Sequence, residues 1–311
     1  MTPDDALTAL LQALATLGYR WTTPTPETQR RVLARPGRTV AHDLAGIFGW
    51  SLPFSASVIA PNLLALMRTG GVLAERNGLF ASTVRVSSLD NLLFLHSAYP
   101  TTESDAVFFG PDTYRFARFI KAALARSSRP VRRLVDVGCG SGAGAIVAQS
   151  ASRAGETLMV DINHKALRLA RINADAADVE AVAVASNVLQ SVDGTFDLII
   201  ANPPYLVDDD QRTYRHGGDM LGAGLTLRIA RESAERLNPG GRLLLYTASA
   251  IVDGADGFAA SVIPMLRDLG CGVAYDEIDP DVFGEELERP IYGAADRIAA
   301  VGVVAIKGAA P

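Results

Sequence analysis

The sequence predicts an α/β fold in which a mostly parallel sheet lies between helices. Short apolar runs alternate with helical segments from residue 133 onward, one run breaks into glycines, and polar residues follow several run ends. Strands are predicted near 133–137, 157–161, 181–185, 196–201 and 242–247, with a closing pair near 271–276 and 298–306. Because ligands bind beyond the carboxyl ends of parallel strands, these polar residues predict a site at one edge of the sheet.

The chain is long enough for two domains, since it has 311 residues of which 49% are hydrophobic. Residues 1–100 are predicted to form a mainly helical domain and residues 101–311 the α/β domain. Cys139 and Cys271 are predicted to be free, and no metal-ligand spacing is present. No secretory signal or membrane-length apolar run is found, so the cytoplasm is the expected location.

The N-terminal region contains helix signals followed by a hairpin signal. Asp4 or Asp5 is predicted to cap a helix that Gly18 ends, and further helices are predicted over 27–34, 40–48 and 58–68. Asn77-Gly78 lies between two strand-like runs and predicts a two-residue hairpin. The order resembles a winged-helix arrangement. Because the helix before the hairpin is mostly apolar, substrate docking or homodimer formation is favoured over DNA reading.

The run from residue 198 ends in Asn202-Pro203-Pro204-Tyr205, which is suited to holding a planar NH2 group. The prolines fix φ and lack N–H groups, so this turn presents acceptors. The Asn202 side-chain oxygen and the Pro203 carbonyl can accept both hydrogens of one amino or amide nitrogen. Tyr205 offers a flat face on which a base or an amide can stack.

A glycine-rich turn follows the first predicted core strand and suits a bulky cofactor. Gly138, Gly140 and Gly142 allow a tight turn and a close approach of the backbone, after the strand that contains Asp136. Asp161 ends the next strand, where an α/β fold places a partner for ribose hydroxyls. No Lys-Ser or Lys-Thr follows the glycines, which disfavours a nucleoside triphosphatase. A dehydrogenase would leave the Asn-Pro-Pro-Tyr turn without a role.

These motifs together resemble the class I S-adenosylmethionine-dependent methyltransferases, specifically the branch with Asn-Pro-Pro-Tyr after the fourth strand. The branch includes amino-methyltransferases of adenine or guanine and the HemK-like enzymes that methylate a glutamine amide. The resemblance covers residues 105–308 and implies a Rossmann-like, seven-stranded methyltransferase domain. It implies that S-adenosyl-L-methionine is the cofactor, and that the cofactor-binding residues are Asp136, Gly138, Gly140, Gly142, Asp161 and Asn187.

In the same resemblance Asn202, Pro203 and Tyr205 are the catalytic residues, and Asn202 grips the target nitrogen. Asn187 departs from the family, which usually has an acidic residue at this position. Asp112 and Thr113 lie in a Pro-acid-Thr segment that the family places near the pocket, although either could simply cap the helix that continues through 118–125. The polar segment 208–218 is predicted to be a lid or acceptor loop, in which His216 is a candidate base.

Three functions remain open at this stage. The favoured one is N-methylation of a base in nucleic acid, with RNA preferred, and the second is N-methylation of a glutamine amide in a protein such as a translation factor. The third is a winged-helix regulator that senses the cofactor without catalysis. The net charge of −5 argues against a globally basic nucleic-acid surface, but arginines cluster at 126–133 and 30–38. The expected partner is therefore a macromolecule, either nucleic acid or protein, and no membrane.

Overall fold

The computed structural model describes residues 1–206, 215, 217–218 and 221–308. Its α-helices are α1 (Pro3–Thr16), α2 (Pro26–Leu33), α3 (Leu44–Phe48), α4 (Pro61–Thr69), α5 (Pro111–Ala125), α6 (Ala143–Ser152), α7 (His164–Ala176), α8 (Gly224–Glu235) and α9 (Gly257–Asp268). Its strands are β1 (Leu73–Arg76), β2 (Leu79–Ser82), β3 (Val84–Leu89), β4 (Leu92–Ser97), β5 (Arg133–Val137), β6 (Glu156–Asp161), β7 (Val182–Ala185), β8 (Phe196–Ala201), β9 (Leu237–Val252), β10 (Ala255–Asp256), β11 (Cys271–Asp279) and β12 (Arg297–Lys307).

The central sheet has the strand order β11-β12-β9-β8-β5-β6-β7, and the short β10 pairs with β9. The strands from β9 to β7 in that order are parallel, whereas β12 and β11 are antiparallel. The predicted Rossmann-like, seven-stranded fold is thereby confirmed. Because β5 has β6 on one side and β8 on the other, successive connections leave β5 in opposite directions. A crevice for ligands is expected at such a reversal of strand order.

Two apolar cores cover the two faces of this sheet. Alternate residues of each central strand point to opposite faces: Leu134 and Leu198 belong to the core that contains α5, whereas Val135 and Ile199 belong to the core that contains α8 and α9. All four of these side chains are fully buried. The strands β5 and β8 are therefore held on both sides, which fixes the residues that follow their ends.

The N-terminal elements differ in detail from their sequence predictions. Helix α1 is capped by Thr2, whose hydroxyl accepts from the Asp5 N–H while the Asp5 carboxylate accepts from Thr2, so the assignment of Asp4 or Asp5 as the cap was wrong. The helix predicted over 40–48 begins only at Leu44, after the Asp43 cap. Helix α5 begins at Pro111 after Gly110, so neither Asp112 nor Thr113 is its N-cap. A proline at the first helical position is the local reason.

The predicted hairpin at Asn77-Gly78 is present as β1 and β2, with both turn residues at positive φ. A second hairpin, β3 with β4, was not predicted. A third apolar core joins these N-terminal elements to one face of α7, through Ala166, Leu169 and Ile172. The domain boundary at residue 100 stays a prediction.

The side-chain amide of Asn173 links the N-terminal region to the glycine turn. Its Nδ2 donates to the carbonyls of Leu95 in β4 and Ser141 in the turn, and its Oδ1 accepts from the Leu95 N–H. The residue is fully buried. Strand β4 therefore supports the turn through α7. Across the described ranges, no helix combines the length and the apolar character that a membrane crossing requires.

Candidate active site

The glycine turn and the Asn-Pro-Pro-Tyr turn begin at the same level of the sheet. Val137, the last residue of β5, is the ladder partner of Ala201, the last residue of β8. Adjacent strands lie about 4.8 Å apart, so Gly138 and Asn202 leave the sheet side by side. The predicted convergence of these two segments is confirmed.

Both turns line one cavity of about 220 Å³ at this edge. One water needs only about 10–15 Å³ of such volume, so the cavity holds a molecule of many atoms. Of the catalytic and cofactor-binding residues that the sequence predicts, all except Gly142 lie in its wall: Asp136, Gly138, Gly140, Asp161, Asn187, Asn202, Pro203 and Tyr205. Asp112 and Thr113 also lie there.

The glycines of the turn are required by backbone conformation. Gly138 has φ +72° and Gly140 has φ +52°, values that side chains other than glycine rarely adopt. A Cβ at either position would have no atom within 4 Å, so their bare backbone faces open space. Gly142 instead faces protein, as an added Cβ would lie 3.0 Å from the Ala170 Cβ. It shapes the turn from behind rather than lining the cavity.

Two carboxylates support this turn, of which Asp136 is fully buried and Asp161 is partly buried. Asp161 accepts hydrogen bonds from the N–H groups of Gly140 (3.0 Å) and Asn163 (2.9 Å). Asp136 accepts one from the Ala145 N–H (2.8 Å). Burial raises the pKa of Asp161, and it raises the pKa of Asp136 to about 7, to which the charge of Asp161 also contributes. A cation bound at the turn would be stabilised by these carboxylates in their ionised form.

Asn187 lies in the cavity wall, but its side-chain oxygen already has a donor. The Nη1 of Arg228 in α8 donates to Asn187 Oδ1 at 3.1 Å. An amide oxygen can accept a second hydrogen bond, so contact with an adenine amino group stays a prediction.

Asn202 presents an acceptor that has no donor among the described residues. Its Oδ1 is fully buried and has no hydrogen-bond partner in that part of the chain. An unsatisfied buried acceptor costs about 1–3 kcal/mol, and such atoms in native proteins mark positions where a ligand completes the hydrogen bond. The oxygen is therefore a candidate acceptor for an N–H donor of a bound molecule.

Tyr205 is fixed by a buried network that the sequence revealed only in part. Its pKa lies well above the usual value, because of burial first and then its contact with the Asp112 carboxylate. Tyr246 in β9 donates to the same carboxylate at 2.7 Å, and Arg115 pairs with it at 3.2 Å. The Tyr205 ring packs against Phe283, with ring centroids 5.8 Å apart. Asp112 therefore connects the start of α5 to the aromatic wall.

Sequence reasoning missed Tyr246 and Phe283. The signal for Tyr246 was a hydroxyl in an otherwise apolar strand, which needs a partner when buried. Phe283 had no comparable signal, because it lies in a connection between β11 and β12. His216 and positions 208–214 of the predicted lid lie outside the described residues. Arg215, which is described, lines the cavity and forms an ion pair with Glu286.

The residues that line the cavity are suited to bind S-adenosylmethionine. Asp161 can accept from ribose hydroxyls, since its carboxylate has lone pairs beyond the two hydrogen bonds already made. Gly138 and Gly140 leave room for the cofactor to approach the backbone, and the acidic floor suits its sulfonium charge. Among the described residues, no group of three or more His, Cys, Asp or Glu side chains is arranged to hold a metal ion.

Comparisons with known proteins agree with this architecture. Residues 117–252 match the family model "Methyltransferase small domain". The release factor glutamine methyltransferase of Deinococcus radiodurans is 33% identical over 155 residues, which cover 47% of this chain and 55% of that protein. The ribosomal RNA small subunit methyltransferase C of Yersinia enterocolitica is 31% identical over 140 residues, which cover 43% of this chain and 38% of that protein.

The chain thus spans about half, or less, of the length of these relatives. A crystal structure of Methanocaldococcus jannaschii Trm5 in complex with adenosine aligns with a TM-score of 0.50 and 15% identity, covering 74% of this chain and 56% of that one. This likeness concerns the fold.

Proposed function

We propose that this protein methylates a planar amino nitrogen. The premise is that residues 117–252 belong to the HemK-like class I S-adenosylmethionine-dependent methyltransferases. The Asn202 Oδ1, which lies in the cavity wall without a hydrogen-bond partner among the described residues, is the single observation that carries this proposal. When bound, S-adenosylmethionine supplies the methyl group, and the remaining products are S-adenosylhomocysteine and one proton.

The nitrogen of an amide or an aryl amine is a poor nucleophile, because its lone pair is delocalised. In the proposal, Asn202 Oδ1 and the Pro203 carbonyl accept the two N–H hydrogens and direct the lone pair toward the methyl group. Tyr205 stacks on the acceptor plane, and Asp112 positions Tyr205. These contributions are orientation and stabilisation of the positive charge that develops on the nitrogen.

The favoured acceptor is a glutamine side-chain amide in a protein, which reverses the order of preference that the sequence alone supports. The charged residues of the described cavity wall are Asp112, Asp136, Asp161, Glu285 and Arg215, and Arg215 is paired with Glu286. Binding of a polynucleotide depends on cations that neutralise phosphates. An acidic wall therefore suits an uncharged amide better than a base next to phosphates, and one relative is named as a glutamine methyltransferase.

A base in RNA is the second candidate. The exposed Arg132 lies close to the buried Asp197 and is part of the arginine-rich segment before β5. A second relative is named as a ribosomal RNA methyltransferase. This segment precedes β5 and so lies at the sheet edge opposite the cavity, which weakens the case. The cofactor-sensing regulator is disfavoured, since a sensor has no use for an unpartnered acceptor beside the cofactor turn.

The acceptor is tested by incubating the protein with S-adenosylmethionine labelled in its methyl group and a cell extract. Parallel samples are then digested with protease, ribonuclease or deoxyribonuclease. Release of the label by protease alone is expected, and acid hydrolysis should convert the labelled product to methylamine and glutamate. Release by ribonuclease would support the second candidate. If no polymer is labelled while cofactor binds normally, the proposed transfer is wrong.

A further inference from the structure

A buried guanidinium lies beside a second, smaller cavity in the N-terminal region. Arg85 in β3 is only 4% exposed, and its Nε and Nη2 have no hydrogen-bond partner among the described residues. The cavity that it lines has a volume of about 10 Å³. Its wall is formed by Arg85 together with Thr23, Pro24, Pro26, His96, Tyr99, Thr101, Phe108 and Phe109.

The groups around Arg85 supply no negative charge. The wall contains no Asp or Glu, and no described carboxylate lies within ion-pair distance of Arg85. Its cross-strand neighbour is His96, which burial holds neutral by lowering its pKa well below the usual value. Burial also lowers the pKa of Arg85, but only to about 10, so the guanidinium is charged at neutral pH.

Three of the neighbouring hydroxyls, those of Thr23, Ser87 and Tyr19, are already engaged in hydrogen bonds. The Thr23 and Ser87 hydroxyls bond each other, and Ser87 also bonds His96 Nε2 at 2.7 Å. The Tyr19 hydroxyl donates to the Val86 carbonyl at 3.0 Å. A buried ion without a partner is strongly unfavourable. Among the described residues the guanidinium therefore has no anionic partner, and the cavity beside it has room for one small anion.

We propose that Arg85 binds one compact monovalent anion in this cavity. A volume of about 10 Å³ corresponds to a single water-sized occupant, which excludes phosphate, sulfate and carboxylate groups and leaves a halide ion. Pro26 and Phe108 line both this cavity and the large one. The anion therefore joins the segment around Thr23, the β3–β4 hairpin and the segment around Phe108 behind the wall of the active site.

Thermal unfolding at constant ionic strength tests the proposal. When chloride replaces gluconate in the buffer, the melting temperature of the wild-type protein should rise by about 2–4 °C in a saturable manner. The reason is that chloride binds the folded state only. Sulfate should raise the melting temperature only in the non-saturating manner of an excluded salt. Arg85→Met should lose the chloride response and should melt at or above the wild-type temperature in gluconate, since its buried unpaired charge is gone. The control Arg132→Met, at an exposed arginine, should keep the response.

Chloride-35 NMR provides a measurement on the wild-type protein, in case Arg85→Met fails to fold. We expect the protein to broaden the chloride line. Bromide should reverse this broadening by competing for the same site. If formate stabilises the protein and chloride does not, the proposed halide site is wrong. The proposal is overturned if no compact anion stabilises or binds the wild-type protein, or if Arg85→Met keeps the full response.

Discussion

Replacement of Asn202 by alanine separates catalysis from stability more clearly than any other substitution in this chain. The Asn202 Oδ1 is buried without a partner among the described residues. Its removal deletes the preorganised acceptor, for which about 3 kcal/mol of barrier, or roughly 100-fold in turnover, is the expected loss. The same change removes an unsatisfied buried acceptor, which costs about 1–3 kcal/mol in the folded state. The variant should therefore be as stable as the wild type, or more stable.

Asn238→Ala is the matched control, because this substitution is expected to lower stability and to leave turnover unchanged. Asn238 is the second residue of β9, at the edge of the sheet opposite the cavity, and its Nδ2 donates to the buried Asp197 carboxylate at 2.9 Å. Loss of a hydrogen bond to a charged group should lower the free energy of unfolding by about 1.5–3 kcal/mol. Turnover should stay near the wild-type value, since Asn238 does not line the cavity.

The assay measures transfer of labelled methyl groups to the identified acceptor under single-turnover conditions, together with urea unfolding of each variant. Saturating cofactor is used, so that a fall in rate reports the transfer step. Near-wild-type transfer by Asn202→Ala would refute the proposed role of Asn202. A large loss of stability in Asn202→Ala would instead show that its oxygen has a structural partner.

Three further substitutions test the glycine turn and the carboxylates beside it. Because burial raises the pKa of Asp136 from 3.8 to about 7, the native state retains a proton that the unfolded chain has lost between these values. The stabilisation is thus fully present below about pH 4 and is lost as the pH rises through 7, by on the order of 4 kcal/mol in total. Urea unfolding from pH 5 to 8 should show this decline in the wild type but not in Asp136→Asn. Gly142→Ala should lower the unfolding free energy by about 2–4 kcal/mol, since φ is +77° and the new Cβ would lie 3.0 Å from the Ala170 Cβ. Its control, Gly257→Ala, has open space and no positive φ, so equal or greater stability is expected. Asp161→Asn should weaken cofactor binding about 10- to 100-fold by calorimetry, and unchanged affinity would exclude Asp161 as a ribose partner.

The sheet and the large cavity could be predicted because their signals are local. Apolar runs such as 198–201 end in residues whose chemistry is specific, and parallel strands bring their carboxyl ends to one edge. The proximity of Gly138 and Asn202 follows from the strand order alone, since β5 and β8 are neighbours in this sheet. The alternation of side chains along each strand, with a period of two residues, assigns each residue to one face of the central sheet.

Features that depend on distant partners could not be predicted. The β3–β4 hairpin was missed because it turns at Asp90-Asn91, where Asp90 has φ +54°, rather than at an Asn-Gly pair. Asp112 was recognised as a candidate, but its partner Tyr246 is 134 residues away. Arg85 carries no signal at all, because an arginine in a strand is usually exposed. Only the packed structure shows that it is buried and unpartnered among the described residues.

The position of Asn173 bears on how such a chain could be shortened or recombined. If the first hundred residues were removed, the amide would lose its two hydrogen bonds to Leu95, and the apolar side chains of Ala166, Leu169 and Ile172 would face solvent. The hydrogen bonds of this amide go to β4 and the glycine turn and not to helices α2 to α4. A shortened or recombined chain is therefore expected to hold the glycine turn in place only if it retains strand β4.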